Sequence, residues 1–173
     1  MDIRHHATDQ TRSEAQFSDC GLYRYQLTRH WAGTKDTVNF IMLNPSRADE
    51  FRNDPTVERC ERRARAMGFG GFSVTNIFAW RDTDPHAMRR AAEPVGPRND
   101  EIITAAAQQA SLVIAAWGSH ASHRARGPDV ARLLSNAGVT LHHLGLTKHG
   151  HPRHPLYVPY ARLPEVWTTP AKS

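Results

Sequence analysis

Our fold prediction starts from residues 40–56, which read F-I-M-L-N-P-S-R-A-D-E-F-R-N-D-P-T. This stretch begins inside an apolar run over residues 38–43, which is the right length for one buried strand. Asn44-Pro45 ends that strand, because proline fixes its own φ and has no N–H to donate. Asp54-Pro55 then predicts the start of a helix. Open α/β sheets place their ligand sites at such strand–loop–helix junctions, although a plain connection is the alternative.

Length and composition favour one globular domain. The chain has 173 residues, of which 39% are hydrophobic, and this is enough for a full core without disulfides. No apolar run approaches the roughly 20 residues that a membrane-spanning helix needs. The polar N-terminus lacks the apolar core of a signal peptide. We therefore predict a flexible N-terminal leader over residues 1–20 and a single α/β domain over residues 21–173.

Charge and cysteine content suggest a partner class and a compartment. The net charge is +5, from 22 basic and 17 acidic side chains, which favours a polyanionic partner. Cys20 and Cys60 stand alone, without a C-x-x-C pair. Isolated thiols are typical of a reducing compartment, so we expect a cytoplasmic protein.

Hydrophobic periodicity predicts strands that alternate with helices. Residues 22–29 alternate as an edge strand does, and a turn over residues 32–36 leads to an antiparallel neighbour at residues 38–43. Further buried strands are predicted at residues 72–78, 112–117 and 139–144, and helical patterns cover residues 56–67, 85–91, 97–110 and part of 120–136. Alternation of this kind predicts a three-layer α/β/α fold with a central four-stranded parallel sheet, plus an antiparallel N-terminal edge strand.

Polar residues follow each of the four core strands. Asn44, Asn76, Gly118-Ser119 and a His-rich loop at residues 145–155 come directly after strand ends. Because parallel strands end at the same rim of a sheet, these groups are expected to converge. Gly118-Ser119 before a helix offers backbone N–H groups to a phosphate, and a simple tight turn at Gly118 is the alternative.

Several other chemistries lack their motifs. The chain has 11 histidines but no H-E-x-x-H and no cysteine pair, and the adjacent His142 and His143 would point to opposite faces of a strand. We therefore expect no metal and no cofactor. The chain also lacks G-x-S-x-G and G-x-x-x-x-G-K-[ST], which argues against a serine hydrolase and against ATP hydrolysis.

The motifs together resemble a family of uncharacterised bacterial and phage proteins. They are L-N-P-S-R-A-D, N-D-P-T, N-I-F-A-W-R, V-G-P-R-N-D, A-W-G-S-H and L-G-L-T-K-H-G-H-P-R-H-P-L-Y. Their order is more distantly similar to the uracil-DNA glycosylase superfamily. L-N-P-S resembles that superfamily's water-positioning motif, and Asn76 occupies the place of its base-reading asparagine. A-W-G-S-H-A is similar to its L-W-G-x-x-A, and H-P-R-H-P-L or H-P-L-Y to its final H-P-S-P.

This resemblance implies a uracil-DNA glycosylase-like fold and the hydrolysis of an N-glycosidic bond. Asn44 would hold the attacking water. A neutral His154, or alternatively His151, would donate a hydrogen bond to the departing base. The implied partner is nucleic acid, with DNA favoured, or a nucleotide, and no obligatory protein partner is expected.

The resemblance also implies which residues bind the substrate. The expected base-binding residues are Asn76, Phe78, Phe51 and Ser46. The expected phosphate- or nucleic-acid-binding residues are Gly118, Ser119, His120, Lys148, Arg153 and Tyr157, with Arg124 and Arg126 adding charge near the rim.

The chain departs from the superfamily pattern at three points. The first motif lacks the catalytic Asp of the best-known branch, Ser46 replaces its glycine, and Arg153 stands where a small residue is usual. These departures leave the base undefined. A non-catalytic nucleic-acid-binding module with the same fold is therefore the alternative function.

Overall fold

The computed structural model describes residues 1–31 and 36–168, so most of the predicted turn over residues 32–36 lies outside the described residues. Within this part of the chain, eight strands form one sheet in a mixed α/β fold. The strands are β1 Asp2–Ala7, β2 Arg12–Phe17, β3 Arg24–His30, β4 Thr37–Met42, β5 Gly71–Asn76, β6 Leu112–Ala115, β7 His142–His143 and β8 Glu165–Val166. The helices are α1 Pro55–Ala66, α2 Pro85–Arg90, α3 Asn99–Gln109 and α4 Arg126–Asn136, with 3-10 segments at Ser119–Ala125 and Pro155–Tyr157.

The sheet mixes parallel and antiparallel pairs in the order β1-β2-β3-β5-β4-β6-β7-β8. β4 pairs in parallel with β5 and β6, and β6 pairs in parallel with β7. The pairs β1–β2, β2–β3, β3–β5 and β7–β8 are antiparallel. The sheet thus carries more antiparallel strands than the single edge strand that the sequence predicted.

The predicted pairing of β3 with β4 is wrong. β3 pairs with β5, with Leu27 opposite Val74, and it lies inside the sheet rather than at an edge. Both sides of β4 are taken by parallel neighbours. This arrangement suits β4, because a strand buried on both faces is most stable in the sheet interior.

Residues 1–20, for which the sequence predicted a flexible leader, contain the strands β1 and β2. Their register runs from Asp2 opposite Phe17 to Ala7 opposite Arg12. On β2, Ala15 and Phe17 are fully buried against the core. Because Phe17 is the one large apolar side chain on the buried face of β2, the hydrophobic pattern of this strand is weak in the sequence.

Helices cover both faces of the sheet. Phe40 belongs to a core cluster with Cys60 of α1, whereas its neighbour Ile41 belongs to a second cluster with Ile103 of α3 and Leu134 of α4. Successive residues of a strand point to opposite faces, which explains this division. None of the helices in the described residues combines the length and apolar character that crossing a membrane requires.

The start of α1 is confirmed where the sequence predicted it. Asp54 caps the helix, and its Oδ1 accepts a hydrogen bond of 2.9 Å from the backbone N–H of Val57. Pro55 occupies the first turn, where its missing N–H costs nothing. In contrast, the last parallel strand spans only His142–His143 rather than residues 139–144, and the antiparallel β8 covers its outer edge.

Candidate functional site at the strand ends

A cavity of about 600 Å³ lies where the loops after β4, β5 and β6 meet the segment after β7. Its wall includes many of the predicted site residues, namely Asn44, Ser46, Gly118, Ser119, His120, Arg153, His154 and Tyr157. These residues come from three separate stretches of the chain. The fold therefore brings together groups that lie up to 113 positions apart in the sequence.

Five predicted residues do not line this cavity: Asn76, Phe78, Phe51, His151 and Lys148. Phe78 is fully buried, and its ring centroid lies 5.7 Å from that of His123. Phe51 is 64% exposed and packs against His6 instead. Neither aromatic ring is positioned to stack on a base held in the cavity.

Asn76 serves a buried polar network rather than the cavity. Its side chain is almost fully buried, and its Oδ1 accepts from Nη2 of Arg24 over 3.4 Å. Its backbone carbonyl accepts from Nδ2 of Asn99 over 2.7 Å. Arg24 also donates to the carbonyl of Ala48, and burial lowers the pKa of this guanidinium to about 10. Because Ala48 lies in the loop between β4 and α1, this network supports that loop.

Arg126, which was expected near the rim, is buried. Its Nε donates to the carbonyl of Ile77 over 2.7 Å, and its Nη2 forms an ion pair with Asp100. Arg126 thus joins α4 to the end of β5 and to α3. Its charge is neutralised inside the fold.

The amide of Asn44 is held in one orientation. Its Nδ2 donates to the carbonyl of Asp82 over 2.8 Å and to that of Pro45 over 3.3 Å. The backbone N–H of Asp82 donates in turn to the carbonyl of Pro45, so the loops after β4 and β5 are tied together. Because both amide hydrogens are engaged, Oδ1 is the atom of Asn44 that can accept from a ligand or a water.

His154 is held as a neutral imidazole with a defined tautomer. It precedes the 3-10 turn Pro155–Tyr157, and its Nδ1 accepts from the backbone N–H of Leu156 over 3.3 Å. A nitrogen that accepts carries no proton, so the proton of the neutral ring is on Nε2. Burial lowers the pKa of His154, and the charge of Asp54 offsets part of this effect.

The predicted His-rich loop folds as a small hairpin beside the cavity. Leu146 bridges Pro152, and the N–H of Thr147 donates to the carbonyl of His151 over 2.8 Å. The N–H of His151 donates back to Oγ1 of Thr147. This arrangement puts Thr147 on the cavity wall and His151 outside it, which separates the two candidate histidines.

Gly118 joins the hairpin to the end of β6. Its φ is +75°, which a side chain would strain, and a Cβ there would lie 3.7 Å from Cβ of His154. Its N–H donates to the carbonyl of Pro152 over 2.8 Å. The expected phosphate donor at Gly118 is therefore already engaged, and the positive φ is what favours glycine at this position.

Sequence reasoning missed two carboxylates in the cavity wall, Asp54 and Asp82. The sequence predicts Asp54 only as a helix cap, and its oxygens do accept from the N–H groups of Val57 and Ala48. A cap at the first turn of α1 can also face a ligand, because α1 begins at the strand-end rim. The motif D-P-T after an N-P-S loop was the signal that could have placed Asp54 there.

Two arginines of α1 hold the segment that follows His154. Arg59 donates to the carbonyls of Pro155 and Val158, the latter over 2.6 Å. Arg63 donates to the carbonyls of Val158, Pro159 and Arg162. The segment that follows His154 is therefore anchored to the same helix that presents Asp54. Among the described residues, no group of three or more His, Cys, Asp or Glu side chains is arranged to hold a metal ion.

The structure defines a mixed α/β protein with a cavity at its strand ends, and many of the side chains in the cavity wall are polar. Residues 24–156 match a family described as "Protein of unknown function (DUF1643)", and the chain belongs to this family. No curated protein and no solved structure matches the chain. The matched range contains β3 to β7 and nearly the whole cavity wall.

Proposed function

We propose that this protein hydrolyses the N-glycosidic bond of a base in nucleic acid or in a nucleotide. The observation that carries the proposal is the pairing, in one cavity, of a neutral His154 with an Asn44 whose amide oxygen is free to accept. These are the two groups that such a reaction needs most. His154 would stabilise the negative charge on the departing base, and Asn44 would orient the attacking water.

His154 would act on the leaving group. When the bond between the sugar carbon and the base nitrogen breaks, negative charge develops on the base. An Nε2–H donor aimed at a base carbonyl stabilises that charge more in the transition state than in the ground state. The lowered pKa of His154 keeps the ring neutral at pH 7, so no proton must first be lost.

Asn44 and Asp54 would act on the sugar side. The Oδ1 of Asn44 accepts a hydrogen bond from the attacking water. This bond orients a lone pair of the water oxygen towards the sugar carbon. The water oxygen bonds to that carbon, and the water proton passes to solvent or to the released base. The Asp54 carboxylate places negative charge near the developing oxocarbenium ion, which lowers its energy.

Base recognition would fall to the cavity wall instead of Asn76. Thr147 accepts from His151 through Oγ1, which leaves its hydroxyl hydrogen to donate. Ser46 is a second hydroxyl in the same wall. Hydroxyls both donate and accept, so these groups suit the Watson–Crick edge of a base without specifying uracil.

We also propose a distant relationship to the uracil-DNA glycosylase superfamily. The parallel pairing of β5, β4, β6 and β7 with motif residues after each strand supports it. Both cysteines are free thiols, which supports a cytoplasmic setting.

A product-release screen tests the activity. Oligonucleotides and nucleotides that each carry one modified base are incubated with the protein, and free base is measured by mass spectrometry. We expect release from at least one substrate and its loss with His154→Ala. Oligonucleotide binding without any release across the screen would instead favour the non-catalytic binding module.

A further inference from the structure

Basic side chains from two segments face one another beside the cavity. α2 contributes His86 and Arg89, and the 3-10 segment contributes His120, His123 and Arg124. The rings of His86 and His120 meet edge to face, with centroids 5.1 Å apart. We call these five residues the α2 basic surface. His120 belongs both to this surface and to the cavity wall, so the two are continuous.

Within the described residues, the positive charge of this surface is offset only in part, by Asp84 near His120. In the described part of the chain, neither Arg89 nor Arg124 forms an ion pair with a carboxylate. Arg124 donates only to the backbone carbonyls of Ala91 and Ala92. Burial and then the nearby positive charges lower the pKa of His120 and of His123. An anion placed among these groups would relieve their mutual repulsion.

The backbone holds Arg124 in place at a conformational cost. Arg124 and Ala125 have φ values of +55° and +53°, two consecutive left-handed residues that are not glycine. Such strain persists only when surrounding contacts enforce it, and it concentrates at functional sites. Here the two hydrogen bonds to the end of α2 supply the contacts. The strained turn thereby fixes Arg124 and His123 next to Arg89.

We propose that the α2 basic surface binds a backbone phosphate of a polynucleotide, adjacent to the nucleotide whose base enters the cavity. This inference rests on the proposed function, because it assumes that the cavity takes a base. Exposed arginines with free N–H groups suit phosphate oxygens. Arg89 and Arg124 lie outside the cavity wall. A phosphate that they bind would therefore belong to a neighbouring nucleotide of a chain, which a mononucleotide lacks.

The histidines add a pH dependence to this binding. A bound phosphate raises the pKa of His120 and of His123, so binding is accompanied by proton uptake. The charged groups that face them are Arg89, Arg124, His86 and the partly compensating Asp84. Affinity should therefore rise as the pH falls from 8 to 6.

Fluorescence anisotropy with a labelled single-stranded 12-nucleotide DNA tests the inference. For Arg89→Gln/Arg124→Gln we expect about tenfold weaker binding and a salt-dependence slope that is smaller by about 1 to 2. The matched control is Arg12→Gln/Arg132→Gln, which removes two exposed arginines on β2 and α4. The control should bind like the unmodified protein, and His120→Gln/His123→Gln should flatten the pH dependence. Circular dichroism verifies that each variant folds.

The outcomes separate this inference from the proposed activity. Equal weakening in both arginine pairs, or none in the Arg89/Arg124 pair, overturns the inference even if base release is intact. Tight competition by a 5′-mononucleotide that depends on Arg89 and Arg124 also overturns it. If no substrate releases a base but DNA binding still requires the two arginines, the phosphate site stands and the glycosidic activity fails.

Discussion

The backbone N–H of Leu156 donates to Nδ1 of His154, and this one hydrogen bond decides which ring nitrogen carries the proton. The contact spans only two residues, within the turn that follows H-P-R-H. The same turn is held from outside by Arg59, which donates to the carbonyl of Pro155. The tautomer of His154 and the position of its ring thus depend on a single short segment anchored to α1.

Replacing His154 should affect turnover more than binding. Removal of one donor aimed at a developing anion costs about 10²–10³-fold in kcat. We therefore expect His154→Ala to lower single-turnover release of the base by that factor with a Kd close to that of the unmodified protein. His151→Ala is the control, because His151 lies outside the cavity, and a larger loss there than in His154→Ala would reverse the assignment.

Replacing Asn44 should misplace the water. Asn44→Ala removes the Oδ1 acceptor, so base release should fall about 10²-fold in single-turnover assays, in line with a loss of reactant positioning. Asn44→Asp should be slower still, because it directs an oxygen towards the carbonyls of Asp82 and Pro45. Unchanged rates in both variants would remove Asn44 from the mechanism.

His154 should titrate below the usual histidine range. Since burial lowers its pKa in the folded protein, the unfolded chain binds the proton more readily. Its contribution to stability is complete above the unfolded pKa of about 6.5 and is lost as the pH falls through the lower folded value. Long-range ¹H–¹⁵N NMR should detect the Nε2–H tautomer at pH 7 and its protonation only at more acidic pH. An Nδ1–H tautomer would contradict the hydrogen bond to Leu156.

Arg63 should matter for stability far more than its neighbour Arg62. Arg63 is buried and donates to three backbone carbonyls, so Arg63→Ala should lower the free energy of unfolding by about 3 kcal/mol. Arg62 pairs with Glu58 on the exposed face of α1, and its loss should cost only about 0.5 kcal/mol. Urea denaturation measures both, and similar values would contradict the structure.

The two cysteines should react at very different rates. Cys20 is exposed, and its hydrogen bond with Ser18 lowers the pKa of its thiol. Burial raises the pKa of the Cys60 thiol, which lies on the core-facing side of α1. A thiol reagent should therefore modify one cysteine quickly in the folded protein and both in denaturant. Cys20→Ser should abolish the fast phase.

Local chemistry was enough to predict several elements. The apolar run predicted as a strand over residues 72–78 overlaps β5 at Gly71–Asn76. The cap and proline at Asp54-Pro55 begin α1. Such features depend on neighbouring residues and on the burial that an apolar run requires. The convergence of Asn44, Gly118 and His154 at one cavity followed from the same sequence reasoning about strand ends.

Only the tertiary structure decided which strand-end asparagine reaches the cavity. Asn44 and Asn76 both follow apolar runs, so the sequence alone could not distinguish them. The pairing of β3 with β5 buries Arg24 beside Asn76, and a buried guanidinium must find acceptors. Asn76 supplies one of these acceptors, whereas Asn44 keeps its amide oxygen free. This difference arises from a long-range strand pairing, which leaves no trace in the residues around either asparagine.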